Sequence, residues 1–481
     1  MRKALILFLT VLVLVGSCFF AAHAAVNSQK EQVTWREETL YGDKAAVAGL
    51  RVATQNSMDA SLLWNTTGVL GESLYPQTEF VFSNQAHNSP YPYTHRGIDL
   101  FVGYSLYELE NTEWMNDEIK EQTAGIRAYY DECWQATPDG TDKTFTLDVS
   151  QYLDYYILDG WFDLPVYASG GWCDVNHDPI ITEAGRVFND YFRIPILGKY
   201  VYTFTIDKTH DNMASSSGIE FDYAPEFSGA VTQDACYFTF NTVSSEGVYA
   251  DCSLIPGGYG IYRFYYSEEG EEKVDLSSLS TVYPLDPTEM YQGLSVSADE
   301  KQLLLQTRDE DHVYLTVIDI ATMTCLQRLE LTTTGDSHYY HFRIEEDFIA
   351  IFRYSHERKA DHTVAVYERQ ADGTFRHAFT VPVNTDEFSM WQVLEYRGLD
   401  GCELAYNGEY LVIAQNAYAT EGEQGREYSR ETCDFYIAAY GAEGMAYGGK
   451  YHVSLTDINN STLSFPCEPF GYFPLQISWE E

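Results

Sequence analysis

Residues 294–331 read LSVSADEKQLLLQTRDEDHVYLTVIDIATMTCLQRLEL, and their punctuation decides the fold. Leu294 to Ser297 is a short strand, Ala298-Asp299-Glu300-Lys301 is a turn, and Gln302 to Thr307 is a second strand. Polar Arg308 to His312 separates that strand from Val313 to Ile320, and Cys325 to Leu331 is the fourth. Four short strands joined by tight polar connections within about 40 residues have the spacing of one propeller blade. The pattern returns downstream. Tyr339 to Ile344, Asp347 to Arg353, Thr363 to Arg369 and Thr374 to Val381 form a second set, with Asp372-Gly373 at a hairpin turn. Cys402 to Tyr406, Glu409 to Gln415, Cys433 to Tyr440 and Lys450 to Leu455 form a third, turned by Asn407-Gly408 and interrupted by an acidic insertion at Thr420 to Arg430. A less regular set precedes them at Ala235 to Asn241, Val248 to Ser253 and Gly260 to Ser267.

A single blade leaves its sheet faces uncovered, so neighbouring blades must stack on it. The fold class expected is therefore mainly β: a β-propeller of about 5–7 blades with an inserted α+β subdomain and an N-terminal apolar helix. The N-terminal strands expected to join it are Leu50 to Thr54, Ser61 to Asn65, Thr78 to Ser83 and Gly97 to Val102, with Leu463 to Trp479 from the C-terminus. Between these lie a helix from Asn116 to about Ala136, a strand at Thr144 to Val149 and a second helix at Thr182 to Phe192. The domains expected are residues 1–25 as signal or anchor, 26–106 as N-terminal propeller strands, 107–198 as the insertion, and 199–481 as the main propeller.

The N-terminus sets the compartment. Arg2 and Lys3 precede an apolar run from Ala4 to Ala22, the charged-then-hydrophobic order of an export signal. The run also approaches the roughly 20 residues that cross a bilayer as a helix, and its basic flank then keeps the N-terminus inside. Val15-Gly16-Ser17-Cys18 resembles a lipobox, with Cys18 as the lipidated residue. Three fates stay open: cleaved signal, single-pass anchor and lipoprotein. The location expected is the cell membrane with an extracytoplasmic body, or secretion.

With 72 acidic against 29 basic residues the net charge is −43, which disfavours nucleic acid and anionic lipid surfaces as partners. Only Glu268-Glu269-Gly270-Glu271-Glu272 is a dense acidic cluster, so the charge reads first as a solubilising surface and second as a means of attracting cations. The nine cysteines include no CxxC pair, and several sit inside strand-like runs where a free thiol behaves as a small apolar group.

Few residues offer chemistry. Asp174, Asn176 and Asp178 alternate as the ligands at the start of a calcium loop do, but Pro179 stands where such a loop needs glycine and Gly185 where it needs a bidentate acid. They are the candidate calcium ligands, weighed against a polar turn; no other cofactor is expected. His338 and His341 fall on opposite faces of a strand, and Asp361-His362 lies in a polar loop with solvated side chains. No GxSxG elbow, Walker loop or dinucleotide fingerprint is placed where its chemistry needs it, and Gly257-Gly258-Tyr259-Gly260 reads as a turn.

Glu37-Glu38-Thr39-Leu40-Tyr41-Gly42-Asp43-Lys44-Ala45, Tyr191-Phe192-Arg193-Ile194-Pro195, Cys236-Tyr237-Phe238-Thr239-Phe240 and Ser253-Leu254-Ile255-Pro256-Gly257-Gly258-Tyr259-Gly260-Ile261-Tyr262 resemble segments of a family of uncharacterised, membrane-anchored or secreted proteins of gut clostridia. The resemblance spans most of the chain and implies export and a propeller-like region, with no catalytic motif. The blades are similar to WD-repeat and TolB-like propellers in spacing only, since the repeated WD dipeptide is missing. The function expected is that of an extracytoplasmic binding protein whose ligand, a protein or a glycan, sits at the mouth of the ring. The alternatives are a hydrolase acting on polysaccharide or cell-wall material, and a structural or regulatory subunit of an envelope complex.

Overall fold

The computed structural model describes residues 2–30, 33–58, 62–71, 76–82, 97–102, 117–163, 186–209, 213–244, 246–266, 274–297, 299–309, 311–332, 338–355, 362–383, 402–423, 426–454 and 475–479. Helix α1, Arg2–Gln29, opens the chain. Its stretch Ile6–Ala25 has a mean hydropathy of 2.3 and no burial, so it is long and apolar enough to cross a membrane, a property that signal sequences share. The body is mainly β, in sheets of propeller-blade type.

The contacts gather the chain into two units, one of Met1–Pro92 with Ser337–Glu481 and one of Tyr93–Asp336. In the second, the quoted stretch forms a four-stranded antiparallel meander: Met290–Val296, Gln302–Arg308, His312–Asp319 and Thr324–Thr332. A six-stranded sheet runs Val274–Pro284, Gly260–Tyr266, Ala235–Phe240, Phe227–Val231, Gly97–Val102 and Leu158–Asp163. A three-stranded sheet holds Asp142–Asp148, Tyr200–Asp207 and Met213–Phe221. Helix α2, Asp117–Ala136, buries Ile126 and Cys133 in the same core as Leu147, Phe204 and Phe238. The helix and strands within 107–198 thus share sheets and core with flanking strands: Asp142–Asp148 pairs with Tyr200–Asp207, and Leu158–Asp163 with Gly97–Val102. Residues 186–191 are helical, while Asn116 and Thr182 lie outside the described residues.

Among the described residues the first unit contains three sheets. Sheet A is the meander His338–Ile344, Phe348–Ser355, Thr363–Arg369 and Phe375–Pro382. Sheet B holds Glu403–Tyr406, Leu411–Glu423, Arg426–Gly441 and Gly444–Val453, and gains Trp35–Gly42 as a fifth, outer strand. Sheet C joins both ends of the chain, pairing Leu475–Trp479 with Leu50–Met58, which continues to Leu62–Val69 and Gln77–Phe82.

Sheet B shows why the sequence folds this way. Successive side chains of a strand point to opposite faces, so a continuous apolar run needs a cover on each side. Leu411, Ile413, Ala438 and Tyr440 enter one core with Phe352, Val364, Phe379 and Val381 of sheet A. Val412, Ala414, Ile437 and Ala439 enter another with Trp35, Val52, Trp64 and Leu475. The register agrees, because Leu411 faces Tyr440, Val412 faces Ala439 and Ile413 faces Ala438 across the ladder. Tyr440 is fully buried and donates its hydroxyl to the Val383 carbonyl at 2.9 Å, which satisfies a polar group that the apolar core would otherwise penalise.

Several details differ from the sequence reading. The acidic insertion at Thr420 to Arg430 extends the two flanking strands, whose ladder runs on to Glu423↔Arg426. Val248 to Ser253 is not a strand; it is a folded loop whose Ser244 carbonyl accepts from Gly247 at 3.0 Å and whose Ala250 donates to the Thr242 carbonyl at 2.8 Å. In the ladder Gly260–Tyr266 instead lies between Ala235–Phe240 and Val274–Pro284. His362 is buried at 4% exposure rather than solvated, because the chain enters sheet A there and its carbonyl accepts from Val383 at 3.1 Å. Among the described residues Cys18, Cys133, Cys236, Cys252 and Cys325 are free thiols, and burial pushes the Cys236 thiol up to about 12.

The buried faces of sheet B carry a stability prediction. Ile413→Ala is expected to cost about 2–5 kcal/mol by emptying a closed site. Leu254→Ala, at a side chain left 49% exposed, is expected to cost under about 0.5 kcal/mol. Urea midpoints with unchanged slopes measure both, and equal losses would contradict burial of that face.

Candidate functional site

A cleft lined by described residues opens in the first unit where three hairpin turns meet, and its volume is about 560 Å³. The first turn joins Thr363–Arg369 to Phe375–Pro382. Gln370 donates to the Thr374 carbonyl at 2.7 Å, Gly373 takes a φ of 83°, and Asp372 Oδ1 accepts from the Thr374 amide at 3.0 Å. This turn sets Glu368 opposite Arg376 in the ladder. Arg376 Nη2 then lies 2.6 Å from Glu368 Oε2.

The second turn is Asn407-Gly408, with Gly408 at a φ of 90° and Asn407 Oδ1 accepting from the amides of Glu409 (2.9 Å) and Tyr410 (2.8 Å). It presents Tyr406, Glu409 and Tyr410 to the cleft. Tyr406 donates its hydroxyl to Glu368 Oε1 at 2.9 Å, across 38 residues of chain. The Phe348 and Phe379 rings stand 5.6 and 6.3 Å from the Tyr406 ring and hold it in place. The third turn, Gly441 to Gly444, contributes Ala442 and Glu443. Tyr410 lies so close over Gly441 that a side-chain carbon there would come within 3.1 Å of its ring.

The electrostatics follow from these contacts. The hydrogen bonds from Arg376 and Tyr406 hold the Glu368 carboxyl below its ordinary 4.5, against a small opposing effect of burial. Burial, and then the bond to ionised Glu368, push the Tyr406 hydroxyl above 10. Glu368 therefore stays charged and Tyr406 stays protonated near neutral pH, as the hydrogen bond between them requires. Beside them His377 Nε2 lies 2.8 Å from Thr380 Oγ1, with its ring edge-on to Tyr367 at 5.2 Å.

A different carboxylate behaves otherwise. Burial raises Glu403, against the neighbouring Arg343 charge and with help from Glu345. Arg343 donates Nη1 to the Cys402 carbonyl at 2.8 Å and sets Nη2 3.4 Å from Glu345 Oε1. Glu403 does not line the cleft.

The candidate calcium ligands Asp174, Asn176 and Asp178, with Pro179 and Gly185, lie outside the described residues, as does Asp361. Among the described residues no group of three or more His, Cys, Asp or Glu side chains is gathered as a metal site. His338 and His341 both fall on His338–Ile344, three positions apart and so on opposite faces. The cleft residues were not singled out by the sequence reading. The Glu368 and Arg376 pair had a signal, since the two flank the Asp372-Gly373 turn; Tyr406 had none.

No family model matches the chain, and no curated protein matches it. Solved structures do, at low likeness. A Lactobacillus plantarum protein is 11% identical with a TM-score of 0.25, covering 53% of this chain and 68% of that one. The periplasmic gluconolactonase of Pseudomonas aeruginosa is 10% identical with a TM-score of 0.25, over 54% of this chain and 68% of that one. The β-propeller domain of Cps50 from Myceliophteria thermophila is 10% identical with a TM-score of 0.19, over 52% and 79%. At these values the likenesses decide nothing about activity.

The lowered Glu368 sets a pH test. A carboxyl whose native pKa lies below its unfolded value contributes stability that is fully present above the unfolded value and is lost as pH falls through the native one. The stability gap between wild type and Glu368→Gln, from urea unfolding, is therefore expected to be constant above about pH 5.5 and to shrink below 4.5. A gap that widens on acidification would contradict the Arg376 and Tyr406 contacts.

Proposed function

We propose that this protein is an extracytoplasmic binding protein, delivered or tethered by α1, whose ligand seats in the cleft between sheets A and B. The observation that carries this reading is Glu368 held by Arg376 on one oxygen and Tyr406 on the other, in a cleft of about 560 Å³, a size suited to a small ligand or to a short stretch of a larger one. Its polar groups are fixed by one another before any ligand arrives, which lowers the ordering cost of binding. The apolar helix and the resemblance to exported clostridial proteins support the compartment.

The hydrolase alternative draws on one observation, the raised carboxyl of Glu403, which has the environment of a general acid. A glycosidase needs a second carboxylate placed about 5–10 Å away across a substrate groove, and Glu345 beside Arg343 is the group to examine.

The experiment uses the full chain in detergent, incubated with envelope extract of the producing organism and recovered for mass spectrometry. Wild type is expected to retain a defined protein or glycan. Ala442→Trp, which fills the cleft from an exposed turn position, is expected to lose it with an unchanged melting temperature. Equal retention by both proteins would overturn the cleft as the site. Shortening of added polysaccharide that Glu403→Gln abolishes would favour the hydrolase.

A further inference from the structure

The charges around the cleft are unequal. Its lining includes three carboxylates, Glu368, Glu409 and Glu443, against one guanidinium, Arg376. Arg376 is committed to Glu368 at 2.6 Å, so within the cleft its charge is already matched. Glu409 and Glu443 are exposed on two different turns and face the same opening. The same lining includes the Tyr406 and Tyr410 rings and buried Phe379. Carboxylates beside aromatic rings attract a cation twice, through Coulomb attraction and through the negative faces of the rings. The chain adds a general field, since its net charge of −43 raises the concentration of cations near the surface and repels anions.

We infer that the cleft of the proposed binding function selects a cationic ligand, an ammonium or guanidinium group that enters between Glu409 and Glu443 and rests against Tyr406 and Tyr410. The inference rests on the proposed binding role and supplies its ligand chemistry. An organic amine and a basic peptide side chain share this chemistry. Neutral glycans and anionic ligands do not.

Isothermal titration of the full chain in detergent with spermidine and with tetralysine tests it, and maltotetraose and tetraglutamate serve as neutral and anionic probes. At least one cationic probe is expected to bind with a stoichiometry of one, and the pattern across the two separates a free amine from a peptide side chain. Glu409→Gln/Glu443→Gln is expected to weaken that binding about tenfold, and raising ionic strength from about 0.01 to about 1 M is expected to weaken it further. Asp131→Asn/Glu132→Gln, which removes as much charge from α2, is expected to leave it unchanged. Equal weakening by both double variants would reduce the effect to general surface charge and overturn the inference. So would binding of maltotetraose or tetraglutamate in place of the cations. If Ala442→Trp abolishes capture from envelope extract while no cation binds, the binding role stands and this ligand chemistry falls.

Discussion

The structure of the first unit depends on the burial of both faces of sheet B. Leu411 to Ala414 and Phe435 to Tyr440 are ten residues with almost no polar relief, laid side by side in one ladder. Alternation sends half of their side chains each way, so neither sheet A alone nor sheet C alone makes a stable cover. A sheet of this kind is stable only as the middle of a stack. The same division recurs in the other unit, where Ala235, Tyr237 and Ile261 pack toward Leu303 and Leu305, while Cys236, Phe238 and Phe264 pack toward Phe188 and Phe204.

Stacking also explains how a polar cleft forms beside such an apolar core. Sheets held face to face about 10 Å apart bring their hairpin turns together at one end, where the strands stop and side chains reach water. Glu368 and Arg376 face each other on the last rung but one before one turn, Tyr406 sits on the last rung before a second, and Glu443 lies within a third. The aromatic residues beneath, Phe348 and Phe379, belong to the core and give the Tyr406 ring a fixed position. Rigidity in the core thus becomes preorganisation at the rim.

The strand Trp35–Gly42 ties the N-terminal end of the body into this arrangement. Glu37 accepts from Lys44, from Tyr447 at 2.8 Å and from Thr39 at 3.0 Å, and these bonds keep its carboxyl low although burial opposes them. Tyr447 in turn lies 2.7 Å from the Tyr451 hydroxyl. At the end of the strand Gly42 adopts a φ of 67°, and any side-chain carbon would strike the Ala446 carbonyl at 1.9 Å. Asp43 donates its amide to that same carbonyl at 3.0 Å, beside a residue that lines the cleft.

What the sequence alone determined was local. The period-two runs at Leu294 to Leu331 and Tyr339 to Val381, with Asp372-Gly373 and Asn407-Gly408 between strands, defined four-stranded meanders because strand alternation and positive-φ turns are written in neighbouring residues. The apolar helix α1 was equally plain from its composition. Glu368 facing Arg376 could be counted outward from its turn. Only the tertiary structure decided which distant segments complete a sheet: Trp35–Gly42 beside Gly444–Val453, and Leu475–Trp479 beside Leu50–Met58. Only it could carry the hairpin ladder through Thr420 to Arg430, bury His362, and bring Tyr406 to Glu368. The physical reason is that backbone hydrogen bonds between strands are the same for every sequence, so pairing between remote segments is chosen by the side-chain surfaces that meet, and those surfaces exist only once the sheets have stacked.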